Sequence, residues 1–158
     1  PVRITCPRSQ NPEQAPELIA WRPVPQTPTI DFSGLEYALE TSIHPDIVEY
    51  FSSFWSSTIE GKSIEGHASL IQLWNQEDFD RLIENFIGHA LAKRQLKEPL
   101  TLFIATTEAD SEYFLSIDNA TGAVLLEEPG RPPLRQVEDN LETFLRRLTP
   151  AASQPAVF

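Results

Sequence analysis

The side chains best suited to chemistry in this chain of 158 residues are its carboxylates. Glu77, Asp78, Asp80 and Glu84 crowd one stretch, WNQEDFDRLIENFIGHAL (74–91), which also carries Asn85, Gly88 and His89 and runs on to Lys93, Arg94 and Lys97. Paired carboxylates can serve as general acid and base, but sugar hydrolysis also needs a substrate-lined cleft that spacing alone does not supply. His44, His67 and His89 lie far apart and lack the short ligand spacing of a zinc site. Cys6 has no activating base beside it in the sequence. There is no G-x-S-x-G, no phosphate-cradling glycine loop, no C-x-x-C and no H-E-x-x-H. The expectation is no catalytic residue, no metal and no cofactor. Hydrolysis by clustered carboxylates or a His-bound metal stands as the enzymatic alternative.

Charge says more. The chain carries 23 acids against 12 bases, a formal net of −11. Between Asp31 and Glu84 there are eleven acids against Lys62 and Arg81, so −9 of that net falls in one third of the sequence. Nucleic acid is excluded as a partner, because phosphate binding needs a basic footprint. The acids form either a solvated surface or a docking surface for a basic partner. No apolar run approaches the ~20 residues of a membrane span, and no secretory leader is expected, because the opening Pro1-Val-Arg-Ile4 is not a charged start followed by an apolar stretch. Methionine is absent, so a natural beginning upstream of Pro1 is expected. One cysteine cannot form an internal disulfide, which suits a reducing compartment and leaves Asn119-Ala-Thr121 as a loop rather than a glycan acceptor.

The elements that must position these groups follow from periodicity. A short edge strand is expected at Leu18–Arg22, flanked by prolines. A helix follows over Ser33–Glu40, with Asp31 and Ser33 as capping candidates and Glu36 and Glu40 spaced i,i+4. A second helix starts at Ile43 to Pro45, with Asp46 favouring its positive end and Ile47, Tyr50, Phe51, Phe54 and Trp55 as its apolar stripe. Ile59–Gly66 reads as a turn or hairpin loop and Ala68–Trp74 as a strand. Asn75 then caps a long helix, with Trp74 and Phe79 as a hydrophobic staple. Its stripe is Phe79, Leu82, Ile83, Phe86, Ile87, Ala90 and Leu91, and its terminal bases suit the helix dipole. Gly88, opposite that stripe, reads either as simple tolerance or as a place where something approaches the backbone closely. Strands are expected at 100–105, 113–117 and 123–127, the last two joined by a turn at 118–122. A helix over Val137–Leu148 closes the fold, and the tail after Pro150 is expected to fray. Residues 1–150 thus form one α+β domain, a mixed or antiparallel sheet flanked by helices.

Several segments in one order carry a resemblance: "IHPDIVEYF", "LIQLWNQEDFDRLIENFIGHALAKRQLKEPLTLFIAT", "SIDNATGAVLLEEPG" and "NLETFLRRLTP". Together they resemble the Syd family of bacterial SecY-interacting proteins, from about Pro1 to Pro150. The stretch Arg8–Glu17 matches poorly, and the family carries a further N-terminal helical segment. The resemblance implies a non-enzymatic cytoplasmic protein held at the inner face of the plasma membrane by SecY of the SecYEG translocon, whose assembly it monitors. It also implies an acidic concave groove facing basic cytoplasmic loops of SecY, and kinship with the SUKH superfamily of interaction and immunity domains. A SUKH-type immunity protein that neutralises a toxin is the alternative within that kinship.

Charge and helical-wheel position select the binding residues: Glu36, Glu40, Asp46, Glu49, Glu77, Asp78, Asp80 and Glu84 as the acidic face, with Asn85 and His89 hydrogen-bonding at its rim. Cytoplasmic loops of membrane proteins are rich in Lys and Arg, which this face would attract. The same charge repels anionic lipid, so no direct lipid insertion is expected.

Overall fold

The computed structural model describes residues 21–151, together with the backbone of two short paired strands, β1 (Arg3–Thr5) and β2 (Leu18–Ala20). Cys6 and the tail beyond Ala151 lie outside the described residues. The fold is α+β. After β3 (Val24–Pro25) come two helices, α1 (Ser33–Leu39) and α2 (Pro45–Ser52), and a short strand, β4 (Phe54–Trp55), that pairs back onto β3. The main sheet follows: β5 (Ile59–Ser63), β6 (Gly66–Leu70), then helix α3 (Gln76–Gln95), then β7 (Thr101–Thr106), β8 (Phe114–Asp118), β9 (Val124–Glu127) and β10 (Arg135–Glu138). Helix α4 (Leu141–Arg146) and β11 (Thr149–Pro150) close the chain. The sheet order is β10-β9-β8-β7-β6-β5-β11, and every ladder in it is antiparallel.

Helix α3 forms as its sequence requires. Asn75 Oδ1 accepts from the Asp78 N–H at 3.0 Å, and Asp78 Oδ2 accepts from the Trp74 N–H at 2.8 Å, so two end donors are satisfied. The two staple candidates each have an aromatic neighbour outside α3: Trp74 meets Trp21 edge-on, and Phe79 meets Phe32. Phe79, Leu82, Phe86 and Ala90 are buried as the periodicity predicts. Phe86 is the hub, with Phe51 of α2 at 5.9 Å and Phe103 of β7 at 4.6 Å between ring centroids. At the far end the buried position is Lys93, not the expected Leu91, which is half exposed. Gly88 faces open space, so a Cβ there would meet nothing within 4 Å and the tolerance reading holds.

Helix α1 lies against α3, where the Arg94 guanidinium donates to the Leu39 carbonyl at 2.6 Å. Helix α2 is tied to the sheet at two points. The Tyr50 hydroxyl donates to the Ile104 carbonyl at 3.3 Å. Asn119, in the β8–β9 turn, accepts from the His44 N–H and donates to the Ser42 carbonyl, both at 2.8 Å. Gly122 completes that turn at φ +80°, and a Cβ on it would lie 2.7 Å from the His44 ring. Glycine is required there twice over, by conformation and by space.

Three expected elements differ. Ile59–Ser63 is a strand rather than a loop, pairing with Gly66–Leu70 on one side and Thr149–Pro150 on the other. Gly61 sits inside it with Leu148 against its face, 3.4 Å from where a Cβ would stand. Phe54 and Trp55 leave the helical stripe for β4, because the chain turns back to pair with β3. Finally, α4 begins at Leu141, capped by Asn140, since Arg135–Glu138 is drawn into the sheet by β9.

Candidate partner-binding surface

Helix α2 presents its acids beside α4. His44 caps α2 by accepting the Asp46 N–H on Nδ1, which orients Asp46 at the positive helix end. Glu49 follows at i+3, on the same side. Both line an open groove of about 740 Å³, whose other wall includes Leu141, Glu142 and Arg146. Tyr50 and Leu70 contribute to its lining, and burial raises the Tyr50 phenol's pKa, so it enters as a neutral hydroxyl. Arg146 is bound to Glu142 at 2.8 Å, one turn away on α4. Glu49 has no basic partner among the described residues. The groove lining thus carries three carboxylates against one guanidinium that is already paired.

The other sequence-selected residues sit elsewhere. Glu36 is partly covered on α1, and Glu40 closes that helix in the left-handed region at φ +56°. Glu77, Asp80, Glu84 and Asn85 are exposed on α3. Asp80 accepts from Gln76 at 3.1 Å, and Asp78 is occupied by its cap contacts and by Arg81. His89 is turned to the sheet: its Nε2 lies 2.9 Å from Thr101 Oγ1, its ring between Phe103 and Phe114. Burial, seconded by Lys93, lowers its pKa against the opposing pull of Glu127, so the ring is neutral at neutral pH. Of the ten, Asp46 and Glu49 share the α2–α4 groove, and His89 lines a different recess. Sequence reasoning missed Glu142, whose i,i+4 spacing to Arg146 was the available signal.

The comparisons with known proteins bear on the whole matched region. The family described as "Syd protein (SUKH-2)" matches residues 3–150. This chain belongs to the Syd family. Protein Syd of Pseudoalteromonas atlantica is 43% identical over 135 residues, covering 85% of this chain and 72% of that protein. Protein Syd of Hahella chejuensis is 40% identical over 147 residues, 93% of this chain and 76% of that protein. Protein Syd of Shewanella sp. (strain MR-7) is 34% identical over 150 residues, 95% and 69% respectively. All four helices, and so the groove, fall inside the Syd match.

Two further clusters in this Syd-family chain have the residue types of chemistry. On β5 and β6, His67 Nε2 lies 2.5 Å from Glu60 Oε2 and 3.3 Å from Ser69 Oγ, while Ser69 donates to the same Glu60 oxygen at 2.6 Å. One ring nitrogen meets both partners, so the imidazole does not stand between acid and hydroxyl as a proton relay requires. Between α3 and the sheet, Lys93 and Glu127 form a buried ion pair. Among the described residues no three His, Cys, Asp or Glu gather as a metal site, and no helix is long and apolar enough to cross a membrane.

Proposed function

We propose that this protein is a non-enzymatic binding module whose α2–α4 groove receives a Lys- and Arg-rich segment, and that its partner is SecY of the SecYEG translocon. One observation carries the reading: Asp46, Glu49 and Glu142, from helices remote in sequence, line one concavity whose single cation is already paired. A basic segment there would exchange water for charge-assisted hydrogen bonds and would be steered in by the wider field of the −11 chain. Membership of the Syd family and the basic bias of cytoplasmic loops of membrane proteins support the choice of partner. On this reading the protein sits on the cytoplasmic side of the inner membrane through that partner, without inserting into lipid, and acts on translocon assembly by occupying those loops.

The test is co-sedimentation with SecYEG-containing membranes at low and high salt, beside membranes lacking SecYEG. Binding should require SecYEG and weaken by about tenfold or more as salt rises, because rim charges act through screened fields. Equal binding to both membranes, or no binding at low salt, refutes the choice of partner.

A further inference from the structure

Under the last turns of α3 lies a second recess, of about 360 Å³, which the acidic groove does not use. Phe103, Phe114 and Leu96 are among its apolar lining; Lys93, Glu127 and His89 line it too, as do Glu128 and Arg131, which pair at 3.6 Å. Lys93 is 5% exposed and Glu127 fully buried. The carboxylate is well supplied with donors. Lys93 Nζ donates to Oε1, while the Thr101 and Ser116 hydroxyls donate to Oε2 at 2.7 and 2.5 Å. The ammonium is not matched in the same way. It has three N–H donors, Glu127 takes one, and no other described residue takes the remaining two. The Thr101 proton is committed to Glu127, so His89 donates to Thr101 through Nε2 and its neutral ring keeps a free acceptor at Nδ1.

We infer that this recess is a binding site for a small uncharged molecule that joins an apolar body to a carboxamide or similar carbonyl group. Each part answers a feature of the site. The apolar body covers the aromatic walls, and the carbonyl oxygen accepts from Lys93, taking over a donor that otherwise only water in the recess can meet. A further anion is disfavoured, because each cation of the lining already faces a carboxylate, Lys93 that of Glu127 and Arg131 that of Glu128, and these would repel another at hydrogen-bonding range. A purely apolar molecule is disfavoured because it strips water from the ammonium and returns no acceptor. The volume lies near the lower end of the ~300–1,000 Å³ of small-molecule pockets. This inference is independent of the partner proposed for the groove.

Toluene, benzamide and benzoate probe the three cases, titrated into isotope-labelled full-length chain and followed by NMR at the Lys93 ammonium, the His89 ring nitrogens and the Phe103 and Phe114 rings. Benzamide should bind at least about fivefold more tightly than either of the others, the factor that one net hydrogen bond supplies. In K93M/E127L, which exchanges the ion pair for apolar side chains, the benzamide advantage over toluene should vanish while toluene still binds. The comparison in the unaltered protein stands even where the variant does not fold. Benzoate binding tightest, benzamide no better than toluene within toluene's solubility, shifts away from these residues, or no shift with benzamide up to roughly 50 mM (a Kd too weak for a built site) each overturns the inference.

Discussion

Arg147 shows how much one side chain can do in this fold. Its guanidinium bonds to Glu65 in the β5–β6 turn, approaches Glu138 of β10 at 3.1 Å, donates to the Val137 carbonyl and lies 5.4 Å from the centre of the Phe144 ring. It therefore fastens the turn beside one end of the sheet to the strand at the other end. The Glu65 carboxyl is held down at about 2 against an ordinary 4.5, chiefly by that bond to Arg147. A carboxyl lowered by folding contributes stability that is complete above the unfolded value and disappears as pH falls through the folded one. R147M should accordingly cost about 1–2 kcal/mol at pH 7, a modest figure because both side chains are partly solvated. The gap between variant and parent in urea unfolding should close between pH 4.5 and about 2. A gap that stays constant over that range would show that Arg147 acts through packing and not charge. Lys93 is the residue whose role the sequence concealed. Its charge suggested the helix C-terminus, yet it lies seven residues after Phe86, on the extension of the buried stripe. The period pointed inward there, but the residue type argued against burial, and the carboxylate that resolves the conflict comes from a strand 34 positions away.

At the scale of elements, α3 was legible almost residue by residue, since cap, stripe and dipole charges are all local signals. The glycines were not, because the reason for a glycine is often tertiary. Gly61 looked like a turn signal but sits mid-strand, where Leu148 covers its face. Gly88 raised the prospect of a close neighbour but faces open space. The two positions should respond unequally to one methyl group. G88A should stabilise the protein by about 0.5–1 kcal/mol, through helix propensity and a less free unfolded chain. G61A should shift stability by about 0.5 kcal/mol or less, because a Cβ there would stand 3.4 Å from Leu148, at the edge of ordinary contact. Thermal unfolding of both variants decides the matter, and a G88A protein less stable than its parent would revive a close contact on that face. The ends of α2 and α4 were misjudged for a related reason. Phe54, Trp55 and Val137 have helical spacing, but pairing partners at Val24–Pro25 and on β9 take these segments into strands, and sequence spacing carries no record of such partners.

For the molecule as a whole, the sequence revealed that negative charge was concentrated but not which helices would share a hollow. Charge counts run along the chain, whereas the groove joins α2 to α4, and Glu142 lies outside the acidic third altogether. The fold thus separates the acids into two physical classes. Asp46, half-buried, and Glu49, itself exposed, line a concavity with apolar side chains, while Glu77, Asp80 and Glu84 stand exposed on α3, apart from that hollow. If a basic partner enters the groove, the two classes should fail differently. D46K/E49K changes the net charge by the same +4 as E77K/D80K, so a partner drawn only by the overall field would respond equally to both. A partner seated in the groove would not. D46K/E49K should then slow association and also speed dissociation, lowering affinity by a factor of about a hundred, as loss of close charge pairs does. E77K/D80K should slow association only, by about tenfold or less, and the loss should shrink as salt rises. Surface-plasmon kinetics against SecYEG in nanodiscs, at two ionic strengths, separates the cases. Equal effects on both rate constants from the two double variants would mean that the hollow between α2 and α4 is not where the partner sits.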